Sequence, residues 1–581
     1  MQKNLFLSPI SKNHYHLKDK VLLGKCCLAN EINESKIDDY KLTEYLWNNS
    51  NKLREDYDYL SNLYYRIIST IFQDLNQFHK VKKSKRFWHI VVGSWVYKFL
   101  ICTYNKWETL NLILSKQNKF NIYNYDIKPK DIIPSDFLEF DNFSKKDYWN
   151  NSLSTEIIKF TKKKQINFIN LKYEIKKKRK YEINQNLSNG KFIYRAIDKI
   201  LSFFSFKPNI ILFQTYFKKK INLNLFFKFR TFPRFFYEFE KNLDLPNPND
   251  RSKLKLNINT SNQFENFLSK KIFSYMPISY LEGFNKIDKF QKKIKYNPSL
   301  IISAVGEFND LFSIWAATKV DEKVLYFYSE HGGYTEDLQK FSSCVEKYDL
   351  FLSWNYSTKK KSIQIEPQFY TKKFDNTSIP KANNLSVVMS ATGLYTSFIH
   401  NDLKADQCLE SYNELKKLQS ISARIKNNLK FRLHPVYSSH WSIKERILND
   451  FGKKFICKEK KIDNSFLNSK LIILDDLQTS FYQAMNSERP LLVFSLRELN
   501  HNVNTSIVAL LKEMKKEKII LNNYNDLKIQ IEKIWDDPFG WWSSKNIMKL
   551  RSEFKKLCSK TNENTLANKI YDLQKFYEKK A

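Results

Sequence analysis

The sequence predicts an α/β fold built on parallel sheets, and three observations carry that prediction. Short apolar runs alternate with helical segments along most of the chain, the pattern of strand–helix–strand units. The runs fall into two series, one before and one after about residue 349. At 581 residues the chain also exceeds what one hydrophobic core normally fills, so at least two domains are expected.

In the first series, residues 4–7 and 21–28 read as short buried strands. Residues 41–116 read as helices, because Leu46, Leu53, Tyr57, Leu60, Tyr64, Ile67 and Ile71 recur at helical spacing. Residues 87–104 are the most apolar stretch, but they hold His89 and Lys98 and read as a buried or interfacial helix rather than a membrane span. Runs 209–217, 300–305 and 324–329 are strand-like. The second series comprises runs 350–354, 385–389, 429–433, 471–474, 491–494 and 519–521, with helical segments such as 401–426 and 481–486 between them. The tail from 524 to 580 reads as helical, anchored by Trp541 and Trp542. The expected division is a Rossmann-like domain over 1–348 with a large helical insertion, a nucleotide-donor domain over 349–540, and helices over 541–581 that cross back.

Composition narrows the partners. Ninety-seven basic against 61 acidic residues give a net charge of +36, which favours phosphates, acidic glycans, nucleic acid or an anionic membrane surface. Richness in Lys, Asn, Ile, Tyr and Phe with only 10 glycines is also what an AT-rich genome yields, so part of the lysine excess is compositional. The basic middle, residues 159–234, interleaves lysine runs with aromatics such as Phe226, Phe227 and Phe229. It reads first as a charged face over a core and second as a membrane contact. No nucleic-acid fold motif is present, so nucleic acid is not expected as a partner. Seven scattered cysteines form no C-x-x-C, which points to a reducing compartment. The first residues are too short and broken for a signal peptide. The expected place is the cytoplasm, in peripheral contact with the anionic inner membrane.

Three clusters bear on chemistry. A strand ends in Glu330-His331-Gly332-Gly333, the chain's one adjacent glycine pair, leaving bare N–H groups and an imidazole where α/β sheets bind ligands. Arg432, His434 and Pro435 end another strand, and period-2 alternation puts the cation and the imidazole on one face, suited to a diphosphate. Asp475 and Asp476 precede Thr479 and Ser480 at a helix start, where hydroxyls and free N–H groups make either an anion site or a simple N-cap. Glu307 and Glu330 both follow strands and are the alternative bases. Asp56-Tyr57-Asp58 reads as a solvated helix face, and no metal is called for.

In order and placement these clusters resemble a group of GT-B transferases that includes capsule Kdo transferases, CDP-glycerol glycerophosphotransferases and bacterial sialyltransferases. Over nearly its whole length the chain is similar to transferases of O-antigen and surface-polysaccharide gene clusters. The matching stretches are Leu75-Asn76-x-x-His79, Phe87-Trp88-x-Ile90-x-x-Gly93-x-Trp95, Pro277-x-x-Tyr280-Leu281-Glu282-Gly283, His331-Gly332-Gly333, Trp354 and Pro538-Phe539-x-x-Trp541-Trp542. Ser94 stands where that family tends to have proline, Glu330 where glutamine is usual, and Trp354-Asn355 where a Trp-Gly pair is.

The resemblance implies a GT-B-like pair of domains facing a cleft and an inverting sugar or sugar-acid transfer to a surface-polysaccharide precursor. It implies a CMP-, CDP- or UDP-linked donor, a glycan or lipid-linked acceptor and no further cofactor. It makes His331 the candidate base, His434 a donor-phosphate contact and Thr479 and Ser480 phosphate ligands. Asn76, His79 and Trp95 lie in the N-terminal helical region and read as the acceptor region, with a structural role for Trp95 and Gly93 as the equal alternative. Glycerophosphate transfer on the same fold, and a non-enzymatic basic protein binding nucleic acid or membrane, are the alternatives.

Overall fold

A computed structural model describes residues 2–32, 36–116, 119–161, 165–175, 200, 209–232, 236, 239, 243–332, 347–354, 361–365, 382–390, 392–399, 403–434, 440–496, 505–557 and 563–580. It is a mixed α/β structure with three five-stranded sheets, in which every strand pair is parallel.

The first sheet has the order β3-β2-β1-β4-β5, with β1 Lys3–Phe6, β2 Lys20–Leu22, β3 Tyr40–Leu42, β4 Phe120–Tyr125 and β5 Ile166–Leu171. The predicted strand at 21–28 stops at Leu22, and Lys25–Leu28 turns into a 3-10 helix that buries Cys26, Cys27 and Leu28. The long helices α1 (Ser50–His79) and α2 (Lys85–Ser115) connect β3 to β4. They are therefore the crossover of this sheet rather than an insertion into a larger one.

The second sheet runs β10-β9-β8-β7-β6, with β6 Ile210–Phe213, β7 Leu300–Ser303, β8 Leu325–Ser329, β9 Leu350–Ser353 and β10 Ser362–Gln364. Every residue of β6, β7 and β9 is buried, as expected of strands covered on both faces. The assignment of run 350–354 to the C-terminal series is thus corrected. Residues 3–364 form two sheets, and β9 pairs with β8, so it belongs to the second sheet and not to the C-terminal series.

The third sheet has the order β12-β11-β13-β14-β15, with β11 Asn384–Val388, β12 Leu429–Arg432, β13 Ser469–Leu474, β14 Leu491–Phe494 and β15 Ile520–Leu521. The chain leaves β11 in one direction for β12 and in the other for β13, so the sheet has a topological switch point between β11 and β13. The C-terminal helix Glu563–Lys580 returns to the second sheet: Tyr571 packs on Phe229 and Tyr577 on Phe327.

Helix α2 is buried on nearly all sides from Phe87 to Trp107, which agrees with the buried-helix reading of 87–104. Among the described residues no helix is long and apolar enough to cross a membrane. Asp56 departs from its reading as a solvated residue. It is 2% exposed and accepts bonds from Trp47 Nε1 at 2.9 Å, Tyr104 Oη at 2.7 Å and Lys52 Nζ at 2.6 Å.

One glycine is required by packing. A methyl added at Gly93 would lie 2.8 Å from His89 Cδ2, 2.8 Å from Lys347 Cε and 2.9 Å from the Tyr64 hydroxyl. Gly93→Ala is expected to destabilise the chain by about 1–3 kcal/mol, the usual cost of overpacking a tight core. The midpoint of urea unfolding measures it, and an unchanged midpoint would show that α2 has room to shift.

Candidate functional site

The site begins where β8 ends. Glu330 is 4% exposed; its backbone N–H donates to the Leu352 carbonyl at 2.9 Å. Its Oε2 accepts from the Trp354 N–H at 2.5 Å and the Ser353 hydroxyl at 3.4 Å. Glu330 therefore ties the ends of β8 and β9 together from inside the sheet. The next residue, His331, is exposed, with its ring 5.9 Å from that of Tyr216. Tyr216 (φ 58°) and Gln214 (φ 49°) are both left-handed in the turn after β6, a strained pair that brings the phenol to the imidazole. Glu307 lies past β7 and accepts from the Tyr328 hydroxyl at 3.5 Å.

The third sheet meets this end. A methyl placed on Gly332 would lie 3.3 Å from Thr479 Oγ1, so the glycine lets the β8 loop approach the first turn of the helix Thr479–Ser487. Trp354, fully buried at the end of β9, packs edge-on against Tyr482 of the same helix at 5.9 Å. That helix follows β13, which borders the switch point, and its first N–H groups have no partner within the helix. Thr479 and Ser480 are half-buried at this start, and the Gln478 side chain makes no capping bond there.

The two aspartates before the helix hold the loops around it. Asp475 Oδ1 accepts from the Ser390 N–H at 2.7 Å, across the switch point. Asp476 accepts from the N–H groups of Leu403 at 2.9 Å and Leu477 at 2.8 Å, and from Gln478 Nε2 at 3.2 Å. Burial pushes the Asp475 carboxyl up to about 7; the Ser390 bond opposes this and the neighbouring Asp476 charge adds to it.

The expected pairing of Arg432 and His434 on one strand face has no strand to carry it. The strand ends at Arg432, so alternation does not carry past it, and the guanidinium donates to the carbonyls of Glu459 at 2.7 Å and Lys460 at 3.1 Å. His434 lies half-buried just beyond the strand end, and burial lowers its pKa. Gly333 and Pro435 lie outside the described residues.

The three residues expected at the acceptor are packed into the helical layer. Trp95 has no exposed surface and packs on Phe99, Phe140 and Tyr280. His79 bonds the Tyr280 carbonyl at 3.0 Å and lies between Trp88 and Phe284. Asn76 accepts from Trp88 Nε1 at 2.8 Å and closes the turn between α1 and α2 through Lys83. The structure thus brings His331, Gly332, Thr479 and Ser480 to one junction with Tyr216, and makes ties of Glu330, Arg432, Asp475, Asp476, Asn76, His79 and Trp95. Tyr216 carried no signal in the sequence, because its contact depends on two left-handed residues that are not glycine.

The junction therefore sets an exposed imidazole beside a helix start at the switch point of a parallel sheet, in a chain matched from end to end by one family. The chain belongs to the LIC12162 family of transferases. The match runs over residues 3–570 and so takes in all three sheets and the first part of the returning helix. No curated protein sequence matches the chain.

A carboxyl that titrates at about 7 when folded and about 3.9 when unfolded keeps its proton longer in the native state. It therefore makes stability fall as pH rises through that window and leaves it level above. Asp475→Asn retains an oxygen for the Ser390 N–H and removes the ionisation. Its unfolding midpoint is expected to fall less than that of the native chain between about pH 5 and pH 7.5. Urea titrations at the two pH values measure the difference, and parallel slopes would refute the assignment.

Proposed function

We propose that this transferase moves a sugar or sugar-acid from a nucleotide-activated donor to a surface-polysaccharide precursor, with the second and third sheets opposed across the reacting groups in a GT-B-like manner. The observation that carries the reading is the approach of Gly332 to Thr479, which sets the His331 loop against a helix start that can take a phosphate.

In this reading the donor phosphates lie on the N–H groups and hydroxyls of Thr479 and Ser480. His331 accepts the proton of the acceptor hydroxyl. The hydroxyl oxygen attacks the anomeric carbon from the face opposite the leaving group, the bond from that carbon to the phosphate oxygen breaks, and the configuration inverts. Donors aimed at the departing phosphate stabilise its charge without reorganising at the moment of transfer. His434, whose pKa burial lowers, serves as a neutral N–H donor to the nucleotide phosphates rather than as a cation. Glycerophosphate transfer would use the same phosphate cradle, with attack at phosphorus.

The expected membrane contact has a physical basis in the helix Lys219–Lys228. Leu223 and Phe227 are 45% and 78% exposed on it, beside exposed Lys219, Lys220 and Lys228. Apolar side chains flanked by lysines suit an anionic bilayer surface. Phe227→Glu with Leu223→Glu is expected to abolish co-sedimentation with phosphatidylglycerol vesicles, and retained binding would remove this contact from the reading.

CMP-, CDP-, UDP- and GDP-linked sugars should be titrated against thermal stability, since a ligand that binds only the folded chain raises it. One class is expected to raise the midpoint. His331→Ala should then keep donor affinity and lose about 10²–10⁴-fold in single-turnover rate, the usual contribution of a general base, whereas His434→Ala should weaken donor binding. No shift with any donor, together with tight salt-sensitive DNA binding, would overturn the reading.

A further inference from the structure

A cavity of about 970 Å³ lies at the carboxyl end of the first sheet, and none of its walls comes from the residues of the His331–Thr479 junction. It is bounded by the end of β4, by β5, by the helices Asp147–Phe160 and Gln263–Tyr275, and by residues 248–255. It lies past the carboxyl ends of β4 and β5, beside the switch point between β1 and β4, the end at which open α/β sheets take ligands. The volume is at the upper end of the range of about 300–1,000 Å³ for small-ligand pockets.

Six cationic side chains line the cavity, Lys130, Lys159, Arg251, Lys255, Lys270 and Lys271, against the carboxylates Asp126, Glu156 and Asp250. Lys271 is paired with Glu156 at 2.7 Å, and Arg251 with Glu282. Lys130, Lys255 and Lys270 have no carboxylate partner among the described residues, although Lys270 also lies over the Phe160 ring.

Two buried polar atoms in the wall are also left over. Tyr275 is 1% exposed and Asn124 6%, yet among the described residues the Tyr275 hydroxyl and Asn124 Oδ1 have no hydrogen-bonding partner. Buried polar atoms are nearly always satisfied, so each asks for a partner from outside the chain. Asn124 Oδ1 requires a donor, such as a sugar hydroxyl. The phenol can donate to a carboxylate or phosphate oxygen, and the lysines supply the counter-charge.

We propose that this cleft binds an acidic oligosaccharide, with sugar hydroxyls on Asn124 and anionic groups on Tyr275, Lys130, Lys255 and Lys270. The inference rests on the walls of the cleft and not on the reaction assigned to the junction.

The test is direct binding of tetragalacturonate to the full chain by calorimetry, with neutral maltotetraose as control and no donor present. Tetragalacturonate is expected to bind saturably and maltotetraose at least tenfold more weakly. Lys255→Ala with Lys270→Ala, both at exposed positions, should weaken tetragalacturonate at least tenfold. Tyr275→Phe should weaken it several-fold while leaving the thermal midpoint unchanged, and CDP should not displace it. Equal binding of the neutral sugar, unchanged affinity in the lysine variant, or displacement by CDP would overturn the proposal. Because no turnover is read, its failure and a failure of the transferase reading are distinguishable.

Discussion

The burial of helix α2 is the constraint from which the rest of the structure follows. A parallel sheet must be covered on both faces, and a helix that is apolar all round must be enclosed. Here one helix meets both needs, packing against α1 and the first sheet's layer on one side and against helix Asp310–Asp321 of the second sheet on the other. Polar ties join α2 to the segment before β9 and the start of helix Asp310–Asp321 to residues 279–280. The fully buried Lys347 donates to Ser94 Oγ at 2.8 Å, Arg86 pairs with Asp349 at 2.9 Å, and Asp310 accepts from the hydroxyls of Ser279 and Tyr280. Helix Asp310–Asp321 leads from β7 into β8, and β8 ends at His331. The placement of the exposed imidazole is thus set by packing far from it in sequence.

The third sheet is held against the first by a separate set of buried polar contacts. Asp406 Oδ2 accepts from the Lys25 N–H at 2.7 Å, and a methyl on Gly24 would come within 2.9 Å of the same oxygen. Arg446 donates to the carbonyls of Glu31 at 2.7 Å and Leu28 at 3.3 Å. Burial raises the Asp406 carboxyl to about 7, opposed by the Lys25 bond and charge. Since breaking a buried tie costs more than forming it gains, such contacts give register more than net stability. Register is what the junction needs, because Gly332 and Thr479 come from different sheets.

What was legible in the sequence follows burial. Runs such as 300–303 and 491–494 are apolar on both faces, and they were found within a residue or two. β4, Phe-Asn-Ile-Tyr-Asn-Tyr, and β5, Ile-Asn-Phe-Ile-Asn-Leu, interrupt their apolar residues with asparagines, and β3 and β10 are three residues long. Missing them merged two sheets into one domain. The placement of His331 at a strand end and of Thr479 at a helix start was legible, because strand-end glycine and helix-start hydroxyls have local causes. The use of Arg432 was not, because its partners are backbone carbonyls at 459 and 460, which carry no side-chain signature.

The stretches that carried the family resemblance meet one another in the core. Asn76 receives Trp88, His79 receives its neighbours from Trp88 and Tyr280, and Glu282 of the Tyr280 stretch pairs with Arg251. The motif therefore specifies how α1, α2 and the segment after helix Gln263–Tyr275 lock together, while His331-Gly332 and Trp354 reach the junction. The departures read the same way. Ser94 supplies the oxygen that takes the buried Lys347 ammonium, so serine and lysine form one local solution. Glu330, in the place of glutamine, uses an acceptor oxygen on the Trp354 N–H, a role that glutamine's carbonyl can equally fill. In this chain those stretches build the scaffold, and packing among them sets where the β8 loop meets the helix after β13.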